Sequence, residues 1–123
     1  MRLLTADSSL HGLREGLRDL AIASEGKAHR TFAVLGPVDG AGREELMDLG
    51  RYLVRLDISA LIVVGEAGSI HAGAVLEGSW GEESRHVDSP EAALELLDDE
   101  LAPEDVVLVA GLPLVLHALE GAT

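Results

Sequence analysis

Ser59-Ala60-Leu61-Ile62-Val63-Val64-Gly65-Glu66 is a short apolar run stopped by glycine. Its centre, Ala60 to Val64, is mostly β-branched or Leu, the pattern of a strand buried on both faces. Gly65 closes the run without a side chain, which suits a strand-to-helix turn. The same grammar recurs at Thr31-Phe32-Ala33-Val34-Leu35-Gly36 and at Val106-Val107-Leu108-Val109-Ala110-Gly111. Buried strands, each closed by glycine and followed by a helix-like segment, predict a parallel α/β sheet.

Working outward, Arg2 to Thr5 reads as a short first strand. Leu10, Leu13, Leu17, Leu20 and Ala21 then form a helical stripe, with Ser8 or Ser9 as cap. That helix is expected to stop near Gly26, and Lys27 to Arg30 to form a polar connection. The second strand should run from about Arg30 to Leu35. Leu46, Leu49, Leu53 and Leu56 mark the next helix, with Gly50 inside it. A helix-interior glycine costs roughly 1 kcal/mol against alanine, so close packing on the sheet is the expected reason for it.

Glu66 to Leu76 reads as helix, and Glu77 to Ser84, which holds Trp80, as the break after it. A short strand is expected around Arg85-His86-Val87. Ser89-Pro90-Glu91 is a helix start, with Ser as cap, Pro in the first turn and an acid beside it. A closing helix is expected over Leu114 to Leu119. The pattern is one domain over 1–123, a Rossmann-like open, mostly parallel sheet with helices on both faces. Such sheets place ligands at the carboxyl ends of their strands. The candidate ligand-loop or contact residues are therefore Gly36, Pro37, Asp39, Gly65, Glu66, Gly111, Leu112 and Pro113.

Composition excludes several functions. The net charge is −13, from 22 acidic and 9 basic side chains, so a phosphate backbone would be repelled and no nucleic-acid partner is expected. No apolar run approaches the roughly 18–20 residues of a membrane span, and no membrane partner is expected. With no cysteine, thiolate metal sites and cysteine nucleophiles are excluded, and the chain fits a cytoplasmic setting. His11, His29, His71, His86 and His117 are scattered, with no pair at helical ligand spacing, so no metal is expected. Gly36 to Gly42 is glycine-rich after a strand but matches neither dinucleotide nor P-loop spacing, and Lys27 is the only lysine. Ser69-Ile70-His71 and Ser84-Arg85-His86 bring a serine near a histidine in sequence, but no G-x-S-x-G elbow is present. No catalytic residue is assigned.

Arg30 to Gly36, Val63-Val64-Gly65-Glu66 and His71 to Ser84 (HAGAVLEGSWGEES) carry a resemblance. So do Ala92 to Leu97 and Leu101 to Val109. The chain resembles the C-terminal domain of Mur ligases, most nearly the D-alanyl-D-alanine-adding type of actinobacteria. The resemblance implies an ATP-dependent amide ligase of cell-wall precursor synthesis. In that family a separate central domain holds Mg²⁺ and ATP, and this Rossmann-like domain receives the incoming amino acid or dipeptide. ATP and Mg²⁺ are therefore expected only if a separate ATPase domain completes the chain; otherwise no cofactor is expected.

The resemblance also marks departures. Where the family carries a polar hinge motif, this chain has Leu4-Thr5-Ala6-Asp7-Ser8-Ser9-Leu10. Pro37 follows Gly36 where the family has an acid, and Leu46 falls near the family's histidine. Val109-Ala110-Gly111-Leu112-Pro113 lacks the lysine and hydroxyl of the family's closing strand. The expectation is a stand-alone, non-catalytic binding or interaction module, with a protein partner or a second copy meeting an apolar mouth at Leu112-Pro113-Leu114. The alternative expectation is the acceptor-binding part of an amide ligase, acting with a separate ATPase domain.

Overall fold

Strand and helix alternate from end to end in the computed structural model, which describes residues 1–23, 29–78 and 83–122. The strands are β1 (Arg2–Thr5), β2 (Thr31–Leu35), β3 (Ala60–Val64), β4 (Ser84–Val87) and β5 (Val106–Ala110). The helices are α1 (Leu10–Ala23), α2 (Arg43–Arg55), α3 (Gly68–Leu76), α4 (Pro90–Glu100) and α5 (Pro113–Ala122). Trp80 and the connection through Gly26 and Lys27 lie outside the described residues.

The strands form one sheet in the order β1-β5-β2-β3-β4, and every pairing is parallel. Alternation along each central strand divides the core in two. Ala33, Leu35, Leu61, Val63, Val106 and Leu108 face one way, under Leu13, Leu17 and Leu20 of α1, Leu49 and Leu53 of α2, and Ile70 of α3. Phe32, Val34, Ile62, Val64, Val107 and Val109 face the other way, under Ala93 and Leu97 of α4 and Val115 and Leu119 of α5. Each fully buried Leu, Ile, Val or Phe contributes roughly 1.5–3 kcal/mol, so the two layers account for the unbroken apolar strands.

Local chemistry fixes the ends of the elements. The Ser9 hydroxyl accepts from the Gly12 amide at 3.1 Å, and the Ser89 hydroxyl from Ala92 at 3.1 Å, capping α1 and α4. Thr31 and Ser59 align the starts of β2 and β3 by exchanging bonds: each amide donates to the other's hydroxyl, at 3.0 and 2.9 Å. The Asp105 carboxylate is buried at the start of β5, where it accepts from the Arg30 guanidinium and the Ala102 amide, both at 2.8 Å.

Four boundaries depart from the sequence pattern. β2 begins at Thr31 rather than Arg30, although the Arg30 carbonyl still accepts from the Val106 amide at 3.0 Å. β4 takes in Ser84. A 3₁₀ turn (Gly65–Ala67) precedes α3, and α5 is longer than Leu114–Leu119. Gly50 also differs: it packs on α3 rather than on the sheet. A Cβ there would stand 2.0 Å from the Ile70 carbonyl oxygen, and one at Gly73 would stand 2.0 Å from that of Met47. Both helices lack a side chain where their backbones cross.

Candidate functional site

The carboxyl ends of β2 and β5 meet where the sheet reverses its winding, since α2 leaves on one face and α5 on the other. An open sheet of this kind holds its ligand crevice there. Here the two loops are in backbone contact. The Gly36 amide donates to the Ala110 carbonyl at 2.9 Å. A Cβ on Gly36 would lie 2.5 Å from the Gly111 carbonyl oxygen and 2.7 Å from Leu112 Cδ2. Gly111 has φ +71°, and a Cβ on it would lie 2.8 Å from the Pro37 carbonyl oxygen. The Leu112 side chain is 5% exposed and belongs to the core beneath α5. It is turned into the crevice, while Pro113 and Leu114 are exposed at its rim. The apolar mouth expected at Leu112-Pro113-Leu114 is thus an inward plug followed by two exposed residues.

The neighbouring loop is tied as well. The Asp39 amide donates to the Ser8 carbonyl at 2.7 Å, and the Ser8 hydroxyl to the Asp39 carboxylate at 3.3 Å. Asp39 itself is exposed. Three of the helix N-termini at this end carry a polar partner, while α3 has no side-chain cap. Ser9 and Ser89 cap α1 and α4, and the Glu45 carboxylate accepts from the Gly42 amide at 3.0 Å at the head of α2. Such termini bind anions when their amides are free.

Gly65, Glu66 and the end of β4 form a second, separate group. Gly65 has φ +71°, and its carbonyl accepts from His86 Nε2 at 2.6 Å, which fixes the proton on that nitrogen. The His86 ring lies against Gly68, where a Cβ would be 2.7 Å from it. His71 Nδ1 is 2.7 Å from the Ser84 hydroxyl, and the two imidazoles are 6.4 Å apart. Burial, then the neighbouring His86, holds His71 below the ordinary imidazole range. Only 1% of Ser84 is exposed, so this serine–histidine contact ties α3 to β4 and presents no nucleophile. Glu66 is exposed and stands apart from it.

The structure thus brings Gly36, Pro37, Gly111 and Leu112 together, leaves Asp39, Glu66 and Pro113 at the surface, and places Gly65 with the histidines. Nothing in the residue pattern signals that His71 meets Ser84 rather than Ser69. Only the adjacency of a helix and the strand that follows it brings them together.

Charge decides what the crevice can hold. The loops at 6–9, 36–42, 65–67, 88–89 and 111–112 contain Asp7, Asp39, Glu66 and Asp88 and no lysine or arginine. Phosphate recognition calls for charge-assisted bonds of roughly 1.5–3 kcal/mol each, and these loops supply acids instead. They do not fit ATP or its Mg²⁺ complex. Among the described residues no cluster of three metal-ligating side chains occurs, and no helix is long and apolar enough to cross a membrane.

Fold and crevice together define the class: a Rossmann-like, all-parallel five-stranded α/β domain built like the C-terminal region of a Mur ligase. The solved structure of MurF from Acinetobacter baumannii superposes on 89% of the chain with a TM-score of 0.60 at 19% identity, the match taking in 25% of that protein. In sequence the chain is 41% identical over 121 residues to the UDP-N-acetylmuramoyl-tripeptide–D-alanyl-D-alanine ligase of Mycobacterium leprae. That match covers 85% of this chain and 23% of the relative. The Mycobacterium tuberculosis (strain H37Rv) ligase of the same name is 43% identical over 131 residues, covering 87% of this chain and 26% of the relative. The chain spans about a quarter of the length of these relatives. No protein-family model matches it.

Proposed function

We propose that this chain is a Mur-ligase-like domain kept for its shape: a cytoplasmic, non-catalytic binding or interaction module associated with cell-wall or peptide ligation. The observation that carries this reading is the filled crevice. Leu112 and the Gly111 carbonyl occupy the space beside Gly36 where an open sheet holds its ligand, and the surrounding loops are acidic. The relatives' printed name gives them a D-alanyl-D-alanine substrate, and an acceptor-binding domain needs a polar or cationic group for the dipeptide carboxylate. No cationic or hydrogen-bond-donating side chain stands in the loops at 36–42 or 111–112, where Asp39 is an acid.

Titration calorimetry with Mg²⁺-ATP and, separately, with D-alanyl-D-alanine at millimolar concentration tests the proposal. The expected result is no saturable heat with either. Saturable dipeptide binding would favour the second reading, an acceptor-binding part acting with a separate ATPase domain. The similarity to a quarter of each ligase is what keeps that reading in contention.

A further inference from the structure

β1 is an edge strand, hydrogen-bonded only to β5 among the described residues. The phase of that ladder says which of its backbone groups are spare. The Arg2 amide donates to the Asp105 carbonyl at 2.9 Å, and the Ala6 amide to the Val109 carbonyl at 3.4 Å. In a parallel ladder alternate residues of one strand make the bonds to a given neighbour, so Arg2, Leu4 and Ala6 face β5. Leu3 and Thr5 therefore turn their amide and carbonyl groups outward, and no described residue bonds them.

This edge is open. Arg2 and Thr5 are exposed, and Leu3 and Leu4 are half-buried. At the far edge of the sheet, by contrast, Ser84 of β4 is 1% exposed. Sheet edges that stay single are blunted by lysine, proline, bulges or inward charges. β1 runs in unbroken register with β5, and its Leu3-Leu4-Thr5 stretch has none of these.

The spare groups are complementary to themselves. In an antiparallel pairing about a two-fold axis through Leu4, Leu3 of each copy stands opposite Thr5 of the other. Each such pair exchanges both backbone bonds, so every outward group of Leu3 and Thr5 finds a partner. Leu4 then meets Leu4 on the α1 side of the sheet, as a close apolar pair beside the existing core. Arg2 of each copy falls opposite Ala6 of the other and one residue from Asp7. Arg2 and Asp7 are both exposed, and neither is in an ion pair among the described residues. The two ends of the seam thus bring opposite charges together.

We infer that the β1 edge is a self-association surface, on which a second copy of this chain adds its own β1 antiparallel about Leu4 and pairs Arg2 with Asp7 at each end. The two five-stranded sheets become one. The seam is a small interface, so association is expected in the micromolar-to-millimolar range. It lies at the sheet edge, and the inference does not depend on whether the crevice at Gly36 and Gly111 takes a ligand.

The test is sedimentation equilibrium of the intact chain with amide hydrogen exchange followed against protein concentration. Both are run in about 0.15 M salt, which screens the net charge of −13 on each copy beyond about 8 Å. A monomer–dimer equilibrium is expected, with exchange at Leu3 and Thr5 slowing as concentration rises and Leu4, already bonded to β5, unchanged. Thr5→Pro removes an outward donor and spares the β5 ladder, so it should weaken the dimer about tenfold, while Thr5→Ala keeps it. Arg2→Glu should weaken the dimer about fivefold, and adding Asp7→Arg should restore it, because the swapped charges meet again across the seam. A chain that stays monomeric at millimolar concentration would overturn the inference. So would a dimer that leaves Leu3 and Thr5 unprotected, or one indifferent to Arg2→Glu. If Thr5→Pro does not fold, the charge swap and the exchange pattern decide the question.

Discussion

Leu112 lies against Gly36 so closely that a single added carbon on the glycine would stand 2.7 Å from the leucine side chain and 2.5 Å from the carbonyl oxygen of Gly111. The contact joins the two loops that, in an open parallel sheet, border the ligand crevice. It explains why the chain keeps glycine at position 36, whose backbone needs no unusual conformation. Gly36→Ala should destabilise the fold by about 1–3 kcal/mol, because the added methyl meets the Gly111 backbone carbonyl and a leucine side chain that is itself packed in the core. Urea denaturation, read as a shift in midpoint at unchanged slope, measures this. An unshifted midpoint would mean that the loops are not in contact.

Leu112→Ala tests the plug from the other side. Removing a 5%-exposed leucine from the layer under α5 should cost about 2–5 kcal/mol. It should also open the crevice without creating affinity for ATP, since no basic side chain stands in its loops. Nucleotide binding by this variant would show that apolar filling alone had closed the site.

Gly50 and Gly73 provide a second backbone crossing. Alanine at either position gains up to about 1 kcal/mol of helix propensity, yet its methyl would stand 2.0 Å from a carbonyl oxygen of the partner helix. Both Gly50→Ala and Gly73→Ala should be net destabilising by 1 kcal/mol or more, about the cost of overpacking. A stabilised Gly50→Ala in thermal melts would show that α2 and α3 separate freely.

Asp105 closes the start of β5 by accepting from Arg30 and from the Ala102 amide. Asp105→Ala leaves the partly buried Ala102 amide without this partner and deprives the Arg30 guanidinium of its carboxylate. The expected loss is about 2–3 kcal/mol, against less for Asp105→Asn, which keeps an acceptor. Equal losses would assign the effect to charge alone.

The imidazole of His71 is held below its ordinary value of 6.5, first by burial and then by His86. The unfolded chain therefore takes up a proton at higher pH than the folded one. Stability contributed by neutral His71 is full above about pH 6.5, falls as the pH drops below it, and levels off beneath the folded-state value. Glu77, held below its ordinary value by the hydrogen bond from Arg55, loses its contribution only in a more acidic range. Melting temperature followed from pH 7.5 to 5 should fall in the protein and fall less in His71→Gln. The same slope in both would place the proton uptake elsewhere.

Much of the fold is legible in the sequence. The unbroken apolar runs ending at Gly36, Gly65 and Gly111 mark strands covered on both faces, and the leucine stripes at 10–20 and 46–56 mark helices with one buried side. The insertion of β5 between β1 and β2 is not legible, because apolar strands with similar side chains can pair in more than one order. Nor is the partner of Gly50, since spacing along one helix says nothing of what crosses it. The candidate site divides in the same way. The loops at 36, 65 and 111 follow from the rule that crevices lie at strand carboxyl ends. That Leu112 turns inward, and that Ser84 reaches His71, depends on packing across elements far apart in sequence.

The central claim is that the crevice between the ends of β2 and β5 holds no ligand of the Mur ligases. A two-dimensional amide spectrum titrated with Mg²⁺-ATP and with D-alanyl-D-alanine tests it most directly, because Gly36, Gly65 and Gly111 each report from one loop. The account predicts that all three signals stay in place at millimolar ligand. Saturable movement of Gly36 and Gly111 together would contradict it.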